Sequence, residues 1–172
     1  MKKTLLTLSV GMLLAGCGDS PPKTIQETSR DITKVSEVRN DKEKILVIDI
    51  KPSSGHDNSS FFFMASMDIA KVASSIMKNF PDASIERFDF IISTGLSDKY
   101  GNSKTLPIIG LSVNRAELAK YNFKERELTD VSLLRLAHPA KYLHPSGKKI
   151  ISDYCKDASN AESAADFCQR SL

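Results

Sequence analysis

The spacing of apolar residues changes several times along the chain, and each change predicts a different element. Residues 5–14 form a dense apolar run: Leu5, Leu6, Leu8, Val10, Met12, Leu13 and Leu14. From Gly18 to Lys44 the chain is polar, opens on Asp19-Ser20-Pro21-Pro22, and carries only Ile25, Ile32, Val35 and Val38 as scattered apolar positions. So thin a pattern predicts a solvated tether, whose root-mean-square span as a flexible chain is about 30 Å. A weak helix through Ile25, Ile32 and Val35, ordered by a partner, is the other reading of the segment.

Beyond Lys44 the pattern sharpens. Ile45-Leu46-Val47-Ile48-Asp49-Ile50 is a β-branched run bounded by Pro52-Ser53-Ser54-Gly55, which predicts a strand buried on both faces or centrally placed. Phe62, Ala65, Ile69, Val72, Ala73, Ile76 and Phe80 recur at helical spacing, so an amphipathic helix follows, with Asn58, Ser59 or Ser60 as its N-cap and Pro81 just past its end. In Glu86 to Ile92 the period falls to two, with Phe88, Phe90 and Ile92 on one face. The polar stretch Ser97 to Ser103 then joins this strand to another in which Ile109, Leu111 and Val113 alternate, a hairpin whose second strand is an edge near Pro107. Asn114 and Thr129 are positioned to cap two short helices, Pro145-Ser146-Gly147 reads as a turn, and Ala158 to Gln169 as a last helix. The expected fold class is therefore α+β, one small domain over residues 45–172, roughly β-α-β-β followed by two or three short helices.

The first run is shorter than the roughly 20 residues a membrane span requires, and Lys2 and Lys3 precede it, as in an export signal. Residues 1–17 resemble a bacterial lipoprotein signal, because Leu14-Ala15-Gly16-Cys17 stands as a lipobox stands, with small residues at the two positions before the cysteine. The resemblance implies a signal peptide over 1–16, cleavage after Gly16, a diacylglycerol thioether on Cys17 and acylation of its new amine, with 17–44 as lipidated N-terminus and tether. Two or more acyl chains, at about 0.8 kcal/mol per buried methylene, anchor a protein lastingly where one holds only reversibly. Gly18 occupies the position where the family's inner-membrane retention aspartate would stand, so the resemblance implies the outer membrane, facing the periplasm.

Charge and cysteine count change the picture in the same direction. The whole chain has a formal charge of +3, but residues 1–16 carry two lysines and no acid, so the remainder is close to neutral. No basic stripe interleaved with aromatics is left to meet a nucleic acid. Of the three cysteines, Cys17 is assigned to lipid, which leaves Cys155 and Cys168 to pair in an oxidising compartment and pin the last helix.

Candidate chemistry is sparse. Ser53 or Ser54 with His56 and Asp57 supplies the residue types of nucleophilic catalysis, but they are neighbours in one loop, Lys51 to Ser60, and G-x-S-x-G and H-E-x-x-H are absent from the sequence. His56, His138 and His144 are the only histidines, and prolines follow the last two, which suits helix ends or turns better than a metal site. Phe61-Phe62-Phe63-Met64 cannot all face one core. Two or three core residues with one left outside is the simpler expectation, and an apolar-ligand carrier the bolder one. No catalytic, cofactor or metal residue is expected. The sequence predicts an envelope lipoprotein whose domain binds another envelope protein or a cell-wall component without catalysis, as an assembly factor, an exclusion or inhibitor protein, or a subunit of a secretion or conjugation complex. A membrane-held hydrolase using the Lys51 to Ser60 loop is the alternative.

Overall fold

Among the described residues five strands form one sheet in the order β1-β2-β3-β4-β5, accompanied by six α-helices of which the longest packs on one face. The computed structural model describes residues 21–39, 43–52, 55–81, 83–123 and 125–172. A short 3-10 turn, Ile25–Thr28, leads into β1 (Ile32–Arg39), which pairs antiparallel with β2 (Lys44–Ile50). Helix α1 (Asn58–Asn79) then crosses to β3 (Arg87–Ser97), parallel to β2, and a hairpin returns as β4 (Ser103–Asn114). After α2 (Arg115–Ala119) and α3 (Asp130–Leu136), a two-residue β5 (Lys141–Tyr142) closes the edge of β4. Helices α4 (Pro145–Lys156), α5 (Ala158–Ser163) and α6 (Ala165–Ser171) complete the chain. The β-α-β-β order, the α+β class and the short C-terminal helices are as the periodicity predicted.

Alternation decides which side is the core. Leu46, Ile48 and Ile50 of β2, Phe88, Phe90 and Ile92 of β3, and Ile109, Leu111 and Val113 of β4 share one face by register and are buried against Phe62, Ala65, Ile69, Val72, Ala73 and Ile76 of α1. The opposite face alternates Val47, Asp49, Arg87, Asp89 and Ile91, all half-buried. α1 is long and apolar enough to cross a membrane by length and composition, yet its apolar stripe is packed into this core.

Four expectations need correction. The stretch 18–44 is not tether throughout, because residues 32–39 are a full edge strand. A register shift between Ile32 and Lys34 lets Ile32 and Val35 both pair on the core face, opposite Ile50 and Ile48, so the apolar spacing is three and hides a strand's period of two. The α1 N-cap is Asp57, one place earlier than expected: its carboxylate accepts the Ser60 amide at 2.7 Å while the Ser60 hydroxyl accepts from the Asp57 amide at 3.0 Å, a reciprocal cap. Pro145-Ser146-Gly147 is no isolated turn but the first turn of α4, with proline at N1, where its missing N–H costs nothing. The single last helix divides into α5 and α6 at Ala164.

Near the hairpin the ladder passes from Ile92↔Ile109 to Ser93↔Pro107, leaving Ile108 as the extra residue of a bulge. The Ile108 carbonyl accepts the amides of Leu143 and His144 at 3.0 and 3.3 Å. Gly147 lies so close that a Cβ there would stand 2.2 Å from the same oxygen, so α4 can dock on β4 only through a glycine.

Candidate functional site

The two cysteines form a disulfide, Cys155–Cys168, with Cα atoms 5.6 Å apart, tying α4 to α6. In the chain-entropy account a bridge closing a loop of this length contributes roughly 3 kcal/mol. It braces a cluster in which Phe62 of α1 stacks on Phe167 at 5.7 Å and meets Tyr154 edge-on at 4.8 Å. The Tyr154 hydroxyl is buried with no hydrogen-bond partner among the described residues, and burial pushes its pKa up to about 12. Polar contacts extend the brace to the first turn of α1: Asn58 donates to the Asp153 carboxylate at 2.7 Å, and Asn160 to the Ser59 hydroxyl at 3.1 Å.

The other sequence candidates do not meet in one place. Cys17, the signal segment, Ser53 and Ser54 lie outside the described residues. The Asp57 carboxylate is occupied as the α1 cap, and the Ser60 amide beside it holds its pKa below the usual carboxylate value. His138 approaches Asn114, 3.3 Å from its Oδ1. His144 caps α4, its Nδ1 accepting the Ser146 amide at 3.2 Å, which requires that nitrogen to be unprotonated in the cap. Among the described residues no three of His, Cys, Asp and Glu are grouped to hold a metal. Of Phe61 to Met64, Phe61 and Phe62 are core, Met64 is half-buried and Phe63 is exposed, so the four do not line a common cavity.

Two features stand out from the fold itself. One is the open sheet face, where a shallow cleft of about 390 Å³ is lined by Arg87, Ser112, His138 and Lys141. Arg87 there bonds to both Asp89 and Glu43, at 3.0 and 2.7 Å. The other is the β3–β4 hairpin, which continues past Ile92 and Ile109 to a tip at Asp98–Asn102. The Asp98 carboxylate accepts the amides of Tyr100 and Asn102 at 2.8 and 2.9 Å and the Asn102 side chain at 3.0 Å; these bonds, the Asn102 side chain first, hold its pKa low. Gly101, at φ +84°, makes the turn possible. The tip is thus fixed, with Tyr100 78 % exposed and the Lys99 ammonium 4.9 Å from its ring centroid.

Sequence reasoning passed over both. Tyr100 was visible as an aromatic in a polar turn, whereas the juxtaposition of Arg87, His138 and Lys141 depends on β5 pairing with β4, which two residues do not announce. Comparison with protein-family models, with curated proteins and with solved structures found no match for this chain.

Proposed function

We propose that this protein is an outer-membrane lipoprotein, anchored through acyl chains on Cys17, whose periplasmic domain is a non-catalytic binding module for an envelope protein or cell-wall component. The observation that carries the anchor is the position of the lipobox cysteine, eight residues before the first turn of the folded domain at Ile25. That is the layout of a domain held at a surface. The Cys155–Cys168 bridge supports an oxidising compartment. The binding role draws its support from the sheet: one face is filled by helices, while the other keeps Val47 and Ile91 half-buried among Arg87, Asp89 and Asp49, a mixed apolar and charged surface suited to a protein contact.

Replacing Cys17→Ser tests the anchor. The variant is expected to leave the membrane pellet or to remain unprocessed, and unchanged fractionation together with an unchanged mass would refute it. For the module, a photoreactive side chain at Val47 in intact envelopes is expected to give a discrete adduct that the same group at Lys71, on the outer side of α1, does not. Equal labelling from both positions would count against the open face.

A further inference from the structure

We propose that the tip of the β3–β4 hairpin is a second membrane contact, seating Tyr100 among lipid headgroups beside the acyl anchor; this rests on the lipoprotein reading above. The register places the two features at one end of the sheet. Ile32, where β1 begins, pairs with Ile50, where β2 ends, and Ile50 pairs with Ile92, beyond which β3 runs on into the hairpin. The chain therefore enters β1 at the end from which the hairpin projects.

The lengths agree. Five residues, Ser93 to Ser97, carry β3 past the last β2 pairing, about 17 Å at 3.3 Å per residue. Eight residues separate Cys17 from Ile25, a chain length that reaches at most about 26–29 Å. That reach exceeds the projection of the hairpin, so the tip and the anchored cysteine can stand at one level. The 30 Å span expected of a tether over 18–44 would have lifted the tip clear of the bilayer. β1, as a strand paired in the sheet, takes up that slack.

The chemistry of this end suits a phosphate-bearing surface. Tyr100 is the most exposed of the large hydrophobic side chains among the described residues, and tyrosine partitions to the headgroup level, its ring in the apolar boundary and its hydroxyl in water. Arg30, Lys51, Lys99 and Lys104 are exposed here and make no ion pair among the described residues. The nearby acids Glu27, Asp57 and Asp98 are exposed as well, but each accepts a backbone N–H of its own segment, and the half-buried Asp31 accepts the Ser29 hydroxyl. The hairpin itself, with Lys99 and Lys104 against Asp98, carries a net positive charge that anionic headgroups attract, and a lipid anchor plus a basic, aromatic contact is the two-signal arrangement that fixes orientation as well as attachment.

The sequence has no tryptophan, so Tyr100→Trp creates a single indole reporter at an exposed position. The lipidated full-length variant, purified from membranes, would be reconstituted into vesicles of phosphatidylethanolamine and phosphatidylglycerol, with and without brominated acyl chains. Its emission is expected to shift to the blue and to lose intensity with the brominated lipid, and adding Lys99→Glu with Lys104→Glu should reduce that loss. Val38→Trp, 47 % exposed at the far end of β1, is the control and should do neither. A Tyr100→Trp protein that floats with the vesicles but emits as in water overturns the hairpin contact and leaves the anchor standing. Equal quenching at both positions also overturns it. A chain that carries no lipid and does not float overturns both readings, because the anchor sets the geometry.

Discussion

The two ends of the sheet are built from the same strands but held by different forces. At the end where β1 begins and the hairpin projects, the first turn of α1 is fixed by a side-chain cap, by Asn58 and Ser59 bonding to α4 and α5, and by the disulfide behind them. At the other end the work is done by charge. Lys44 pairs with Glu37 at 3.1 Å, Arg87 with Glu43 and Asp89, and the Arg115 guanidinium donates to the carbonyls of Phe80 and Pro81 just past α1. The difference matters for function. An end whose stability does not depend on its cations is free to present them outward, whereas cations committed to ion pairs are not available to a surface.

The largest expected effect is on the covalent brace. Replacing Cys155→Ser together with Cys168→Ser should lower unfolding stability by roughly 3 kcal/mol, read as a fall in the urea midpoint with little change in slope. Limited proteolysis should then cut first in α5 and α6, leaving the β1–β4 sheet protected. A loss under about 1 kcal/mol would mean that the Phe62, Tyr154 and Phe167 cluster holds the C-terminal helices unaided.

At the charged end the effect should be smaller and should depend on salt. Arg87→Ala removes two partly exposed ion pairs and is expected to cost about 1 kcal/mol or less, with the cost shrinking as salt rises. Lys99→Glu and Lys104→Glu, at the hairpin end, should leave stability within about 0.5 kcal/mol of the parent at any salt, since neither side chain is part of the fold's support. If the hairpin variants proved the more destabilising, the division of labour between the ends would be wrong.

How far the sequence reveals this division follows from where each element keeps its period. β2, α1 and the β3–β4 pair are legible because each buries one continuous apolar face, so Leu46, Ile48 and Ile50, or Phe88, Phe90 and Ile92, repeat with no interruption. β1 is an edge strand with a register shift, and its apolar residues at 32, 35 and 38 fall three apart, with Val38 on the open side. Nothing local distinguishes that spacing from a polar linker. β5 owes its existence to the Ile108 bulge and to the glycine that lets α4 approach it, both tertiary facts. The candidate surfaces suffer from the same limit. The disulfide followed from counting cysteines, but the shared end of Ile32 and the hairpin emerges only once the register is known.

The hairpin end also contains a tension that the charged end lacks, and it gives the finest test. Asp68 of α1 is buried without a hydrogen bond among the described residues, with Lys71 3.9 Å away and largely exposed. Desolvation, and then the nearby Asp31 carboxylate, raise its pKa above the usual value. A folded state that holds a proton more tightly than the unfolded one is penalised while the group is ionised. The penalty is complete above the folded pKa and disappears as pH falls below the unfolded value, about 3.9. Asp68→Asn should therefore make the protein slightly more stable at pH 7, and that advantage should vanish near pH 3, where Asp68 is neutral in both states. Urea unfolding of the two proteins at both pH values measures it. An advantage that is the same at both would place the effect in packing rather than charge, and a loss of stability at pH 7 would show that the Lys71 pairing outweighs burial.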